Sequence, residues 1–324
     1  MCCRPAGGRR ENCASPGGPS PTRREFRPLT VNVVIFPVCA GDLLVSDVLV
    51  LSNLVRKALI EDIGPGDVTS EAVVPKHARC RVRLVAKQHG VLSGMKCYKM
   101  AFQLMDSGVE NWSALEEGTP FSPGDVLADF TGRTISVLSA ERTAINFIQH
   151  LSGIATLTAK FAEQLRGLHT KIIDTRKTMP LLRALEKEAV LHGGGTNHRY
   201  ALFDGILIKE NHITAAGGIT NAVQAARSGP HHLLRVEVEV RNLEELAEAL
   251  GVGVDIVMLD NMSLEDMRVA ARMCHDKGVL VEASGNVTLD RIRAIADTGV
   301  DFVSCGMLTH SAPAADLSLL IENV

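Results

Sequence analysis

The sequence predicts an α/β protein in which a mixed α/β sandwich domain precedes a (β/α) barrel. Two observations predict it. Beyond about Lys171, the short apolar runs KIID, GILI, RVEVEV, DIVML, VLVEA and DFVSC alternate with helical stretches such as LEELAEAL and LDRIRAIADTG. They start roughly every twenty to thirty residues, which is βα repetition and implies parallel strands closing toward a barrel. Ahead of them, RCRVRLVAKQHGVLSG alternates apolar and polar residues as a strand does. EEGTPFSPGDVLADFTG reads as short strands joined by Gly and Pro turns, so a mixed sheet with a few helices is expected there.

Taken in order, residues 1 to about 28 are rich in Gly, Pro, Ser and Arg and carry no apolar periodicity. The LTVNVVIFPVCA run after them resembles a signal-peptide core, yet it is too short to span a bilayer. Export would sit badly with the cysteine pattern, so residues 1–45 are read as a disordered extension. DVLVLSNLVRKALIED has helical spacing, and the turn GPGDVTS follows it. The Gly- and Pro-turned hairpins resemble those of biotin- and lipoyl-carrier domains, but no lysine sits at the turn tip, so they are scaffold. A long helix is expected from about Ser139, with Ile145, Ile148 and Leu151 on its apolar face. Arg142 then falls near the helix start, where the macrodipole favours anions, and is read as an arginine held to reach an anionic ligand. The expected division is 46–150 for the first domain, with its linking helix running to about 168, and 151–324 for the barrel.

Composition narrows the function. A chain of 324 residues with 46% hydrophobic and 22% charged content can build two substantial cores. A net charge of −3 gives no reason to expect nucleic acid or an anionic membrane as partner. Aromatic content of 4% argues against base-stacking surfaces. The eight cysteines form no C-x-x-C pair and fit neither a zinc site nor a disulfide framework, which points to a reduced, cytoplasmic setting. Cys305, in an apolar run, is read as a buried structural thiol. No Ser-His-Asp arrangement or H-E-x-x-H helix is present, so hydrolase and zinc-protease chemistries fall away.

What ends each strand candidate assembles a site. The first run stops on Arg176 and Lys177, the second on Lys209, the third on Glu239 and the fourth on Asp260. The fifth ends at Ser284-Gly285 and the sixth at Gly306, all expected at one C-terminal rim. Between the first two runs lie Gly193, Gly194 and Gly195 and the pair His198-Arg199. Arginine and lysine together in a crevice suit a ligand rich in carboxylate or phosphate oxygens. Small residues after the last two strands suit a phosphate held by backbone N–H groups, with Thr288 as an N-cap beyond them. Glu239 and Asp260, inside a basic rim, suit ribose hydroxyls or a hydrated Mg²⁺. Glu237 shares the strand face of Glu239, and Glu282 is a structural candidate for the barrel interior. His198 has acid–base capacity at neutral pH, whereas His212 is read as a hydrogen-bonded strut.

TRKT, the glycine-rich segment with TNHR, IKENH and ERTAIN together resemble quinolinate phosphoribosyltransferase, from about Leu51 to the C-terminus. Leu181 departs from the glycine usual after Pro180, and Glu188 stands where an aromatic residue is common; both bear on packing beside the charged positions. The resemblance implies an incomplete, irregular (β/α) barrel, in agreement with the strand candidates. It implies transfer of phosphoribosyl from phosphoribosyl pyrophosphate to quinolinate with decarboxylation, giving nicotinate mononucleotide, pyrophosphate and CO₂. On this reading Lys209, Glu239 and Asp260 are catalytic. Arg142, Arg176, His198, Arg199 and Lys209 meet the two pyridine carboxylates, and Lys177 meets phosphate oxygens. Glu239 and Asp260 meet the ribose and a Mg²⁺ that arrives with the substrate, no metal being held by protein alone. Ser284, Gly285, Asn286 and the Gly306-Met307-Leu308 turn cradle the 5′-phosphate. A homodimer or higher homo-oligomer is implied, with Arg142 supplied by the partner subunit. Two rivals stand beside this: a related phosphoribosyltransferase-like protein associated with molybdate transport, and a non-catalytic barrel that binds a phosphate ligand. Arg142 together with His198-Arg199 favours the dicarboxylate substrate.

Overall fold

A computed structural model describes residues 45–324, so the expected extension and its LTVNVVIFPVCA run lie outside the described residues. The first domain opens with helices α1 (Val45–Ile63) and α2 (Val68–Val73), the second capped by the Asp67 carboxylate accepting from Ser70 N–H at 3.0 Å. Strand β1 (Arg79–Ala86) follows, then β2 (Gly90–Val91), α3 (Met95–Met105), β3 (Glu110–Ala114), β4 (Pro120–Phe121) and β5 (Val126–Arg133). The alternation read in β1 is real: Cys80, Val82, Leu84 and Ala86 are buried, and the arginines between them face outward to ion pairs such as Arg81–Asp129 at 2.7 Å. An aromatic knot of Tyr98, Phe102, Trp112 and Phe130 fills the space between this sheet and α3, with the Phe102 and Phe130 rings 4.8 Å apart.

Helix α4 (Thr134–Gln164) begins immediately after β5, with Arg133 as its N-cap. The expected start near Ser139 is therefore corrected: the apolar period continues upstream through Val137, and no turn separates strand from helix. Arg142 consequently sits in the third turn, beyond the reach of the helix-start effect assigned to it. At 31 residues α4 packs on α3 in one domain and on later elements of the other. It is the spine between them.

The second domain alternates β6 (Lys171–Ile173), α5 (Arg183–His192), β7 (Ile206–Ile208), α6 (Glu210–Ala216), α7 (Ile219–Ser228), β8 (Val236–Val240), α8 (Leu243–Val252) and β9 (Ile256–Asp260). It continues through α9 (Leu264–His275), β10 (Leu280–Ser284), α10 (Ile292–Ala296), β11 (Phe302–Ser304) and α11 (Met307–His310). These six strands are parallel in the order β6-β11-β10-β9-β8-β7, so consecutive strands are neighbours and only β6 and β7 leave an open seam. An isolated bridge between Ile173 and Thr196 occupies that seam. The barrel is incomplete, as expected. The glycines before Thr196 let the chain lie directly on α4, for a Cβ on Gly193 would stand 2.4 Å from the Ala155 carbonyl oxygen.

The last strand departs from the expected division. β12 (Leu317–Asn323) pairs antiparallel with β1, placing Leu319 opposite Leu84, so the chain's end completes the first domain's sheet instead of the barrel. Without it β1 would be an open edge, and an unpaired strand edge is a liability that proteins cover. Glu188 also has a place: it pairs with Lys96 across the domain boundary, a polar link where an aromatic residue was usual. No helix among the described residues is long and apolar enough to cross a membrane.

Leu181 carries the backbone consequence of its departure from glycine. Met179 to Leu182 form a turn closed by the Leu182 N–H donating to the Met179 carbonyl at 3.1 Å, with Pro180 second and Leu181 third. That third position has φ +68°, the left-handed region a type II turn reserves for glycine. The side chain is 85% exposed and has no packing to lose. Leu181→Gly should therefore stabilise the protein by about 1 kcal/mol, read as a higher urea midpoint at unchanged m-value.

Candidate active site

A cavity of about 720 Å³ opens at the C-terminal rim of the barrel. Strand alternation builds it. Val238, Val257, Val281 and Val303 point outward and are buried, so the inward positions fall mostly to polar residues, Glu237, Glu239, Asp260, Glu282, Ser284 and Ser304, with Leu207 and Met258 among them. Barrel interiors are ordinarily filled by branched aliphatic side chains, and this one is polar. Arg176, Lys177, Lys209, Glu239 and Asp260 all line the cavity, as expected. His198 and Arg199 join them from the α5–β7 connection, and Ser284, Gly285, Asn286, Gly306 and Met307 from the last two strand ends.

Two expected residues do not join. Arg142 is exposed on α4 and lies outside this chain's cavity. The Leu308 side chain is fully buried within the short turn of α11, so only Gly306 and Met307 of that turn face the opening.

The cations are held by groups the sequence reading passed over. Asp174, at the end of β6 and wholly buried, accepts from the Lys187 ammonium at 2.5 Å and from the His198 backbone N–H at 2.8 Å. Lys187 also donates to the His198 carbonyl at 3.0 Å. One turn earlier on α5, Arg183 donates to Thr178 Oγ1 at 3.0 Å and to the Tyr200 carbonyl at 3.3 Å. Arg183 and Lys187, spaced four apart on one helix face, thus staple the loop bearing Arg176 and Lys177 to the loop bearing His198 and Arg199. That spacing was the available signal. Burial pushes the Asp174 carboxyl up and the Lys187 ammonium down, and their mutual attraction opposes both shifts.

Arg199 is poised for an anion. Its Nη1 donates to the Gly205 carbonyl at 2.8 Å, while its buried Nε has no partner. Burial lowers its pKa, and the neighbouring Arg176 guanidinium lowers it further. Two guanidinium groups crowded at one wall with a donor unspent suit a carboxylate-bearing ligand. Lys209 is paired with Glu239 across the mouth. His212 is the strut expected: its Nδ1 accepts from the Lys209 backbone N–H at 2.9 Å.

The opposite wall is a chain of amides. Asn286 Nδ2 donates to Asn261 Oδ1 and Asn261 Nδ2 donates to Asp260 Oδ1, both at 2.9 Å. Asn261 and Asn286 have φ +55° and +49°, a conformation asparagine tolerates better than most residues. Gly285 lies between with φ +92°, and a Cβ there would stand 2.2 Å from Asn261 Oδ1. Glycine is required on both counts. Asn261 went unread because it follows a strand end as an ordinary turn residue.

At the floor, His198 Nε2 lies 3.2 Å from Glu237 and 3.5 Å from Glu282, while its Nδ1 accepts from the Arg199 N–H at 2.7 Å. Both glutamates are buried, and each has an Oε1 with no partner. Among the described residues this trio has the spacing of metal ligands. Its histidine Nε2 faces both carboxylates, an arrangement that can equally hold a proton. Burial first, and Glu237 second, raise the Glu282 pKa well above its ordinary value of 4.5. An acid raised in the folded state keeps a proton that the unfolded chain loses above about pH 4.5, so stability falls as pH rises from there. Glu282→Gln should therefore stabilise the protein increasingly as pH rises above about 4.5. Parallel urea titrations of parent and variant across that range check it.

Comparisons agree with the geometry. The Quinolinate phosphoribosyl transferase N-terminal domain profile matches residues 67–152, and the C-terminal domain profile of the same family matches residues 154–320. The chain is 41% identical over 269 residues to a probable nicotinate-nucleotide pyrophosphorylase (carboxylating) of Bacillus subtilis, covering 83% of this chain and 92% of that one. It is 39% identical over 290 residues to the chloroplastic nicotinate-nucleotide pyrophosphorylase (carboxylating) of Arabidopsis thaliana, covering 84% and 83%. The crystal structure of NadC from Streptococcus pyogenes superposes with a TM-score of 0.83 at 38% identity, covering 88% of this chain and all of that one.

Proposed function

The chain belongs to the quinolinate phosphoribosyltransferase family and transfers phosphoribosyl from phosphoribosyl pyrophosphate to quinolinate with decarboxylation, and from that premise we propose a division of labour among its residues. The observation that carries it is the crowding of Arg176 and Arg199 at one wall with a buried guanidinium donor unspent, facing carboxylates and turn amides on the other. Arg176, Arg199 and Lys209 receive the two pyridine carboxylates. His198 has committed both ring nitrogens, so it holds Arg199 and the floor in place instead of binding the ring directly. Lys177 meets pyrophosphate oxygens. Ser284, Gly285, Asn286 and the Gly306-Met307 turn take the 5′-phosphate.

The ring nitrogen attacks ribose C1 as pyrophosphate leaves, and positive charge grows on the sugar. Glu239 and Asp260 face that charge and accept the ribose hydroxyls, which is electrostatic stabilisation by preorganised groups. Their hard carboxylate oxygens would also hold a partly hydrated Mg²⁺, which would neutralise charge on the pyrophosphate. Lys209 exchanges Glu239 for a ring carboxylate when quinolinate enters, freeing Glu239 for the sugar. The pyridinium then absorbs the electron pair left by the departing carboxylate. Four buried free thiols, Cys80, Cys97, Cys274 and Cys305, suit a reducing cytoplasmic setting.

The active form in this proposal is a homodimer with shared sites. Arg142 is exposed and outside its own cavity, which leaves it available to a neighbour's. Large apolar side chains are exposed on α1 and α2, at Ile60, Val68 and Val73, and at the barrel mouth, at Met179, Leu202 and Phe203. Such surface suits a subunit interface.

Substrate choice tests the wall of cations. Nicotinate has one carboxylate and would leave buried guanidinium donors unpaired, so its turnover should fall at least about a hundredfold below that of quinolinate. Rates of nicotinate mononucleotide formation with each acid, phosphoribosyl pyrophosphate and Mg²⁺ check it; equal rates would sink the assignment. Sharing is tested by mixing. Arg142→Ala and Lys209→Ala should each be inactive alone, while a mixed dimer keeps one intact site and about half of parental activity. Random co-refolding makes about half of the dimers mixed, so activity should return to roughly a quarter of the parental level. Proven heterodimers without recovery would place Arg142 outside the neighbour's site.

A further inference from the structure

Decarboxylation leaves an electron pair on the ring carbon next to the nitrogen, and that carbon must gain a proton before the product can leave. The cations of the cavity are poor donors for it. Arg176, Arg199, Lys177 and Lys209 hold anions, and losing a proton would release what they hold. His198 has turned its Nε2 toward the two glutamates and its Nδ1 toward the Arg199 backbone.

Glu282 lies differently. It sits on β10 one inward step below Ser284, lines the cavity, and is 2% exposed. Glu237 and Glu239 occupy successive inward positions on β8, so the floor cluster lies one layer beneath the carboxylate that faces the ribose. The ring nitrogen must reach ribose C1, and the carbon losing its carboxylate is the very next atom of the ring. With the ribose placed at Glu239 as proposed above, that carbon lies over the floor. Two carboxylates and one imidazole are packed together, with two carboxylate oxygens unpartnered, and a proton kept on one carboxyl relieves the crowding of like charge.

We infer that the Glu282 carboxyl group is the general acid that protonates the ring carbon after CO₂ departs, with His198 and Glu237 as its positioning residues. The inference rests on the decarboxylating reaction described above. The bond between ring carbon and carboxylate breaks, its electron pair stays on the carbon, and CO₂ leaves. The O–H bond of Glu282 then breaks, its proton forms the new C–H bond, and its electron pair remains as the Glu282 carboxylate. The Lys209 ammonium offsets that charge until product departs and solvent in the opened cavity restores the proton. Burial, and then Glu237, raise the pKa of this acid, while Ser304 and the Lys209 ammonium beyond β7 act in the opposite direction.

The test uses the full chain with quinolinate, phosphoribosyl pyrophosphate and Mg²⁺. Glu282→Gln keeps the shape and removes the proton, so kcat should fall about a hundredfold or more while KM for both substrates stays within about twofold. Glu282→Ala should be equally slow, and added formate should restore its rate in a saturable manner, faster at lower pH where formic acid is present. Unchanged kcat in Glu282→Gln would mean that solvent supplies the proton and would overturn the inference. A slow Glu282→Ala protein that formate does not rescue would make the role one of packing, and would overturn it too. Should the glutamine variant fail to fold, the formate response of the alanine variant decides alone. Failure of the parental protein to consume quinolinate would strike the reaction itself, a separate outcome from either.

Discussion

A fully buried carboxylate cannot stand unpaired, and the site depends on how Asp174 meets that constraint. Asp174 ends β6 inside the protein, where its charge is compensated by the Lys187 ammonium and by the His198 N–H. Removing one partner from such a pair typically costs about 3–5 kcal/mol, because the other charge is stranded. The pair therefore fixes α5 against β6 and the α5–β7 connection against both. Arg176, Lys177, His198 and Arg199 owe their convergence to it. The open seam between β6 and β7 makes this necessary, since no ladder of strand hydrogen bonds runs there.

The barrel interior follows a second logic, in which stability yields to chemistry. Most apolar strand side chains face the helices and, Leu207 and Met258 apart, polar ones line the cavity, so most of the core that holds the barrel lies outside the strand ring. Inside, like charges are crowded: Arg176 beside Arg199, and Glu237 beside Glu282. Each crowding is unfavourable in the empty protein and is relieved by a ligand of opposite charge or by a retained proton. The two pairs sit apart, one at the cavity wall and one at its floor, so a dianionic ring and a cationic sugar centre can each find their complement without moving the scaffold.

Much of this was legible from one dimension. Strand period, helix period and the residue types at strand ends follow from local chemistry, so the sequence alone places Arg176, Lys177, Lys209, Glu239 and Asp260 on one rim. The departure at Leu181 was also visible, although its meaning was not. Only the turn closed by Met179 and Leu182 shows that the position is left-handed and that leucine is strained there. The start of α4 was misplaced because a strand running into a helix without a loop leaves no turn residues to read.

The sequence by itself determined the order of elements, the parallel barrel with its polar rim, and the residue types that meet an anion, because these depend on neighbours a few positions apart. Tertiary structure alone decided which distant groups meet. It brought β12 back to β1 across most of the chain, turned Leu308 inward, placed Asp174 under His198, and set Glu237 and Glu282 against one imidazole. Those pairings are made by burial and barrel closure, which act between residues far apart in the chain and leave no periodic trace along it.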